Sequence, residues 1–290
     1  MTIEAQTADN PLKKYFRQPK LYVELPSQGR FYPTGAIEVP DTGQYPVYSM
    51  TARDELTFKT PDALLNGQAT VEVIQSCFPN IKNAWQMPSI DIDAVLIALR
   101  IATYGEDLSI DITIPGTDIE KTYQTDLRVL LDQISVSEYN EVINYNGMTI
   151  YIRPLTYQEF TKQAMKTFEE QRIIAMVNND NLTEEDKLVK FQQSFAKLTD
   201  LTVAAVTQGI YKIEVDGEVV SDTAFISEFI SNADSGLYTA VTDHLEKQKE
   251  NFSIKPLTVT TSDEERTAGA PDTFEVPISF DASNFFVSRS

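Results

Sequence analysis

The 290 residues carry 24 lysines and arginines against 43 aspartates and glutamates, a formal net charge of −19. A polyanion repels phosphate backbones and anionic bilayers, and no basic stripe offsets this one, so the sequence argues against nucleic-acid binding and membrane attachment. With 42% hydrophobic and 10% aromatic residues, the chain can bury a core, as one large domain or two smaller ones.

The acidity fits either solubility or a basic partner. Cys77 is the single cysteine, which excludes an intramolecular disulfide and agrees with a reducing compartment. The N-terminal MTIEAQTADNPLKKYF has no apolar h-region, so no secretory signal is expected. The longest apolar run, Ala94 to Ala102, is interrupted by Arg100 and is far shorter than the ~20 residues a bilayer requires.

Residues 1–20 read as a flexible arm. Leu21, Val23 and Leu25 alternate with Tyr22 and Glu24 as a short strand. A turn-rich loop follows, punctuated by Pro26, Gly29, Pro33 and Gly35 and holding Phe31 and Tyr32. Val47 to Met50 is a second short strand. Thr51 and Asp54 have the spacing of a capping box. Thr60 before Pro61 starts a helix that Asn66-Gly67 stops. Thr70 caps the next, ended by Pro79, and Asp93 caps Ala94 to Tyr104, with Gly105 as its left-handed stop. That helix is apolar nearly all round, which makes it central.

Ser109 to Pro115, the Gly116-Thr117-Asp118 turn and Ile119 to Tyr123 predict a β-hairpin. Thr149 to Arg153 is another strand. Thr156 and Glu159 form a second capping-box spacing, opening a helical stretch to about 208 that turns at Asn178 to Asn181 and restarts at Thr183 and Asp186. Leu188, Phe191, Phe195, Leu198, Leu201 and Ala205 form a stripe suited first to antiparallel packing on the 156–178 helix and second to a partner helix. Asp216-Gly217 marks a hairpin between 210 and 220, and helices follow over about 223–232 and 236–250. The expected class is α+β: an N-terminal mixed domain with small antiparallel sheets and short helices (21–150), then a mostly helical part with a β-hairpin (151–254). Residues 255–290 read as an acidic linker ending in an aromatic clasp, FEVPISFDASNFFV.

Signals for catalysis are poor. His244 lies in DHLEKQKE on a predicted helix, and a serine–histidine hydrolase would need it beside a nucleophile and a carboxylate. Cys77 lies between apolar Ile74 and Phe78 and reads as a buried, inert thiol. Zinc needs about four Cys or His ligands, and only these two residues exist. No phosphate-cradling glycine motif occurs. Asp91 with Asp93, and Asp263 to Glu265, lack the spacing of a calcium loop, and helix caps explain them better. No catalytic, cofactor-binding or metal-binding residue is assigned, and a non-enzymatic binding or structural protein is expected.

Three segments together carry a resemblance: LPSQGRFYPTG at 25–35; MTARDELTFKTPDALLNGQATVEVIQSCF at 50–78 with DAVLIALRIATYGEDLSIDIT at 93–113; and FEVPISFDASNFF at 274–286. This order resembles the T-even-type phage baseplate protein family, which includes baseplate hub subunits and hub assembly factors. Relatives often carry a Cys-x-x-Cys knuckle where this chain has Ile114-Pro115-Gly116-Thr117, so a zinc ribbon is not carried over and apolar packing must hold the hairpin. The resemblance implies a chaperone-like role in hub assembly, with a hub protein or the tape-measure protein as partner. It would act in the host cytoplasm during assembly, and the virion tail baseplate is a further location. A permanent baseplate subunit is the alternative, and a tail-associated hydrolase a third reading.

The candidate partner-binding residues are Phe31 and Tyr32, Phe191 and Phe195, and Phe285 and Phe286. The first pair either packs on its own domain or contacts a partner. Phe285 and Phe286 should dock, on this chain or a neighbour, because burying such a side chain is worth ~1.5–3 kcal/mol.

Overall fold

A computed structural model describes residues 12, 15–58, 67–135, 138–177 and 183–278. Its class is α+β, with two cores joined edge to edge and a third, smaller one at the side.

The first core forms around one helix. Strands β1 (Pro19–Val23) and β2 (Tyr45–Tyr48) pair antiparallel, placing Leu21, Val23, Tyr45 and Val47 inward while Tyr22 faces solvent. Helices α1 (Ala52–Phe58) and α2 (Gln68–Cys77) follow. Thr51 and Asp54 satisfy each other's backbone amides at the start of α1, at 2.8 and 3.2 Å, the reciprocal box their spacing predicts. Thr70 falls inside α2, whose N-cap is Gly67, and the helix expected from Thr60 and Pro61 lies outside the described residues.

Helix α3 (Ile92–Tyr104) runs through the centre, with every residue from Ala94 to Ala102 buried. Its one cation does not break it. The Arg100 guanidinium donates to Gly105 O and Asp107 O, at 3.2 and 3.4 Å, just past the helix's own C-terminus. That is the end where a positive charge meets free carbonyls. Helix α4 (Leu127–Ser135) closes this core with Leu127, Leu130, Leu131 and Ile134.

The second core lies under a four-stranded antiparallel sheet of β5 (Val142–Tyr145), β6 (Met148–Ile152), β7 (Ile210–Val215) and β8 (Glu218–Val220). The boundary expected between residues 150 and 151 therefore falls inside β6. Both outer turns use left-handed pairs, Asn146-Gly147 and Asp216-Gly217, the turn chemistry that matches strand twist. Ile150, Ile152, Ile210 and Ile213 face α7 (Thr223–Asn232) and α8 (Ser235–Phe252).

Between the neighbouring strands β6 and β7 the chain makes a long excursion as two helices, α5 (Tyr157–Val177) and α6 (Glu184–Gly209). Bonds from Gln163 to Gln208 and from Lys197 to Glu170 fix their antiparallel register. The root of α5 is held by the first core. The Tyr157 amide donates to Met87 O at 2.7 Å, the Ser89 amide to Leu155 O at 2.7 Å, and the Trp85 and Tyr157 rings stack at 5.7 Å.

Two expectations change. Residues 255–278 are not a linker: β9 (Leu257–Thr260), α9 (Asp263–Thr267) and β10 (Thr273–Val276) form a closed unit. It packs on the hairpin of β3 (Asp107–Thr113) and β4 (Glu120–Asp126) through Ile114, Phe274 and Val276. Acidic composition concealed these elements because the apolar residues are few and all point one way. The two turns meet at Gly116 and Gly269. A Cβ on Gly116 would sit 2.6 Å from Gly269 O, so neither position tolerates a side chain. Secondly, the segment expected to be a mobile arm is anchored at Arg17, which donates to Ser49 O and Ser76 O at 2.5 Å each and pairs with Asp54 at 3.5 Å.

Candidate functional site

Two regions could meet a partner: the joint between the cores and the helical excursion.

At the joint, the loop 25–35 wraps around one carboxylate. Asp91 is 0% exposed. It accepts the Ser27 amide at 2.7 Å, the Ser27 hydroxyl at 2.6 Å and the Tyr32 hydroxyl at 3.0 Å. Loss of solvent pushes its carboxyl up to about 6, against the pull of those three donors. Burial, then the Asp91 charge, raises the Tyr32 hydroxyl well above its ordinary value and Tyr45 to about 12. Gly29 cannot be replaced without strain. It has φ +80, and a Cβ would sit 2.7 Å from Val39 Cγ2 and 2.9 Å from the Tyr45 hydroxyl.

Phe31, left-handed at φ 67, meets Tyr139 edge-on at 5.3 Å, and Arg30 pairs with Glu141. Phe31 and Tyr32, each half-buried, thus hold the loop to both halves of the molecule. Reading Asp91 and Asp93 as helix caps also fails. Asp91 makes no capping bond, and burial raises the Asp93 carboxyl above its ordinary value.

Beside this loop is an apolar groove of about 420 Å³ between the cores. Ile90 and Ile92 contribute from the first core, Leu155 and Phe160 from the root of α5, and Leu245 and Phe252 from α8. Arg153 at its edge is held bidentate by Glu159, at 2.9 and 2.8 Å. That ion pair keeps the Glu159 carboxyl below its usual range despite burial.

The helical excursion is different in kind. Phe168 is 62% exposed on α5, and Leu188 and Phe195 are each 57% exposed on α6. The predicted stripe is therefore split. Phe191, Leu198, Leu201 and Ala205 turn half inward with Ser194, which is buried, while Leu188 and Phe195 face solvent. Phe191 and Phe195 stack on each other at 6.4 Å. The structure therefore brings together one predicted pair here and another at the joint, far apart in the fold. The third, Phe285 and Phe286, lies outside the described residues.

Reactive groups do not converge at either place. Cys77 is buried, and its thiol is pushed up to about 12 by burial and by Asp54. His244 Nε2 bonds Asn140 O at 2.9 Å. Among the described residues, no group of three or more His, Cys, Asp or Glu could hold a metal ion. No helix there is long and apolar enough to cross a membrane.

The family model described as T4 bacteriophage base plate protein matches residues 36–265. No curated protein and no solved structure matches the chain. The match covers α1 to α8 and so includes Asp91, the groove and the helical excursion. The chain belongs to the T4 bacteriophage base plate protein family.

Proposed function

We propose that this baseplate protein acts without catalysis in assembly of the baseplate hub, as a chaperone that binds a hub or tape-measure protein through the α5–α6 helices. The observation that carries the reading is the set of large apolar side chains left in water on two long helices, Phe168, Leu188 and Phe195. Exposed patches of this kind mark contact sites, and an amphipathic helix of a partner fits such a pair. Charge supports an apolar contact. The two helices hold six basic and seven acidic residues, so almost all of the net charge lies elsewhere on the molecule. Self-repulsion by that remainder would keep free copies apart while the helices stay open to a client.

The test is capture of tail proteins from infected cells by the wild-type protein and by Phe168→Ser/Phe195→Ser, with mass spectrometry of purified virions in parallel. Capture of a hub or tape-measure protein that the double variant loses, with no copy in virions, is the expected result. Equal capture by the variant overturns the assigned surface. A fixed number of copies in virions overturns the chaperone reading in favour of a permanent subunit, which the doubly anchored root of α5 would suit.

A further inference from the structure

We propose that the apolar groove between the two cores is the seat of the chain's own C-terminal segment, with Phe285 and Phe286 as its occupants. The path is set by strand register. Val276 pairs with Leu257, so Ile278, packed on the first core, leaves the sheet level with Lys255. Lys255 lines a cavity of about 310 Å³ together with Leu130, Ile134, Ser253 and Ile254. Ser253 is also part of the wall of the 420 Å³ groove next to it. The chain therefore exits beside a cavity that shares Ser253 with the apolar groove.

Six residues separate Ile278 from Phe285, and seven extended steps reach at most about 25 Å. The far wall carries Phe160, a ring 47% exposed that contributes to no core cluster. Arg153, a cation at the groove's edge, is already held by Glu159. A ring seated here would touch Ile90 and Ile92 on one side and Leu245 and Phe252 on the other, adding to the ties that the loop 25–35, the α5 root and the Asn140–Gln248 bond already make between the halves.

Two measurements on the full chain test this. Hydrogen exchange is compared between wild type and Phe285→Ala/Phe286→Ala. About tenfold faster exchange at the end of α8 and around Tyr139, with α3 unchanged, is expected. The Phe160→Cys/Phe286→Cys variant is then oxidised. Cys77, buried and with its thiol pushed up to about 12, stays silent. A bridge within one chain, running as a monomer on a non-reducing gel, is expected. Unchanged exchange, no bridge, or a bridge between two chains overturns the proposal, the last result assigning the groove to a neighbouring copy.

Discussion

The first core and the helical excursion put their apolar residues to opposite uses. Around α3, every apolar side chain from Ala94 to Ala102 is enclosed, and even the lone cation is folded back onto its own helix. Along α5 and α6, the packing seam is partly polar, with Ser194 buried and Phe195 outside. Stability is concentrated in the first region and surface in the second. The two helices can be long and exposed because the sheet below and the Tyr157–Met87 bond fix their base.

The largest effect that would break this comparison is in the core. Ile97→Ala should cost about 2–5 kcal/mol in chemical denaturation, from lost transfer and a residual cavity. Phe195→Ala should change stability by less than about 0.5 kcal/mol, as exposed sites do. Equal costs would show that the excursion is part of the stable core. Next in size is the Asp91 node. Because its folded-state carboxyl titrates at about 6, above an unfolded value near 4, the native state holds the proton more tightly. Its contribution is fully present below pH ~4 and is lost as pH rises through 6, by about 3 kcal/mol. Asp91→Asn should flatten that part of the difference between the two stability–pH curves, while Asp91→Ala, which strands three donors, should destabilise at every pH.

Gly29→Ala follows, at about 1–3 kcal/mol for a left-handed residue with no room for a Cβ. The smallest expected effect concerns salt. Capture through α5 and α6 should change little between low and high ionic strength, since their charges nearly balance. A steep loss would instead point to the acidic body as the binding surface.

What was legible in the sequence was local. The boxes at Thr51–Asp54 and Thr156–Glu159 formed as their spacing predicts, Thr183 capped its helix by accepting the Asp186 amide, and Asp216-Gly217 turned its hairpin. Asn146-Gly147 carried the same signal for the β5–β6 turn, and only its weaker flanking strands hid it. Asp91 was misread because its partners, Ser27 and Tyr32, lie about sixty positions away, and no local pattern distinguishes a buried anchor from a cap. The split of the Leu188–Ala205 stripe was equally hidden. Periodicity states which residues share a face, whereas the facing α5, with Glu170 and Gln163 at the seam, decides how far that face is covered.

The insertion of α5 and α6 between β6 and β7 also shapes how the molecule folds. Ile152 and Ile210 are partners in the sheet, yet residues 153–209 intervene. Bringing the ends of a disordered loop that long together costs about 3.5 kcal/mol of chain entropy beyond a constant. If the helices zip from their shared turn first, each added contact along the pair shortens that loop, and the strands arrive already adjacent. The same two helices that leave their phenyl rings in water would then act as the template that registers the central sheet.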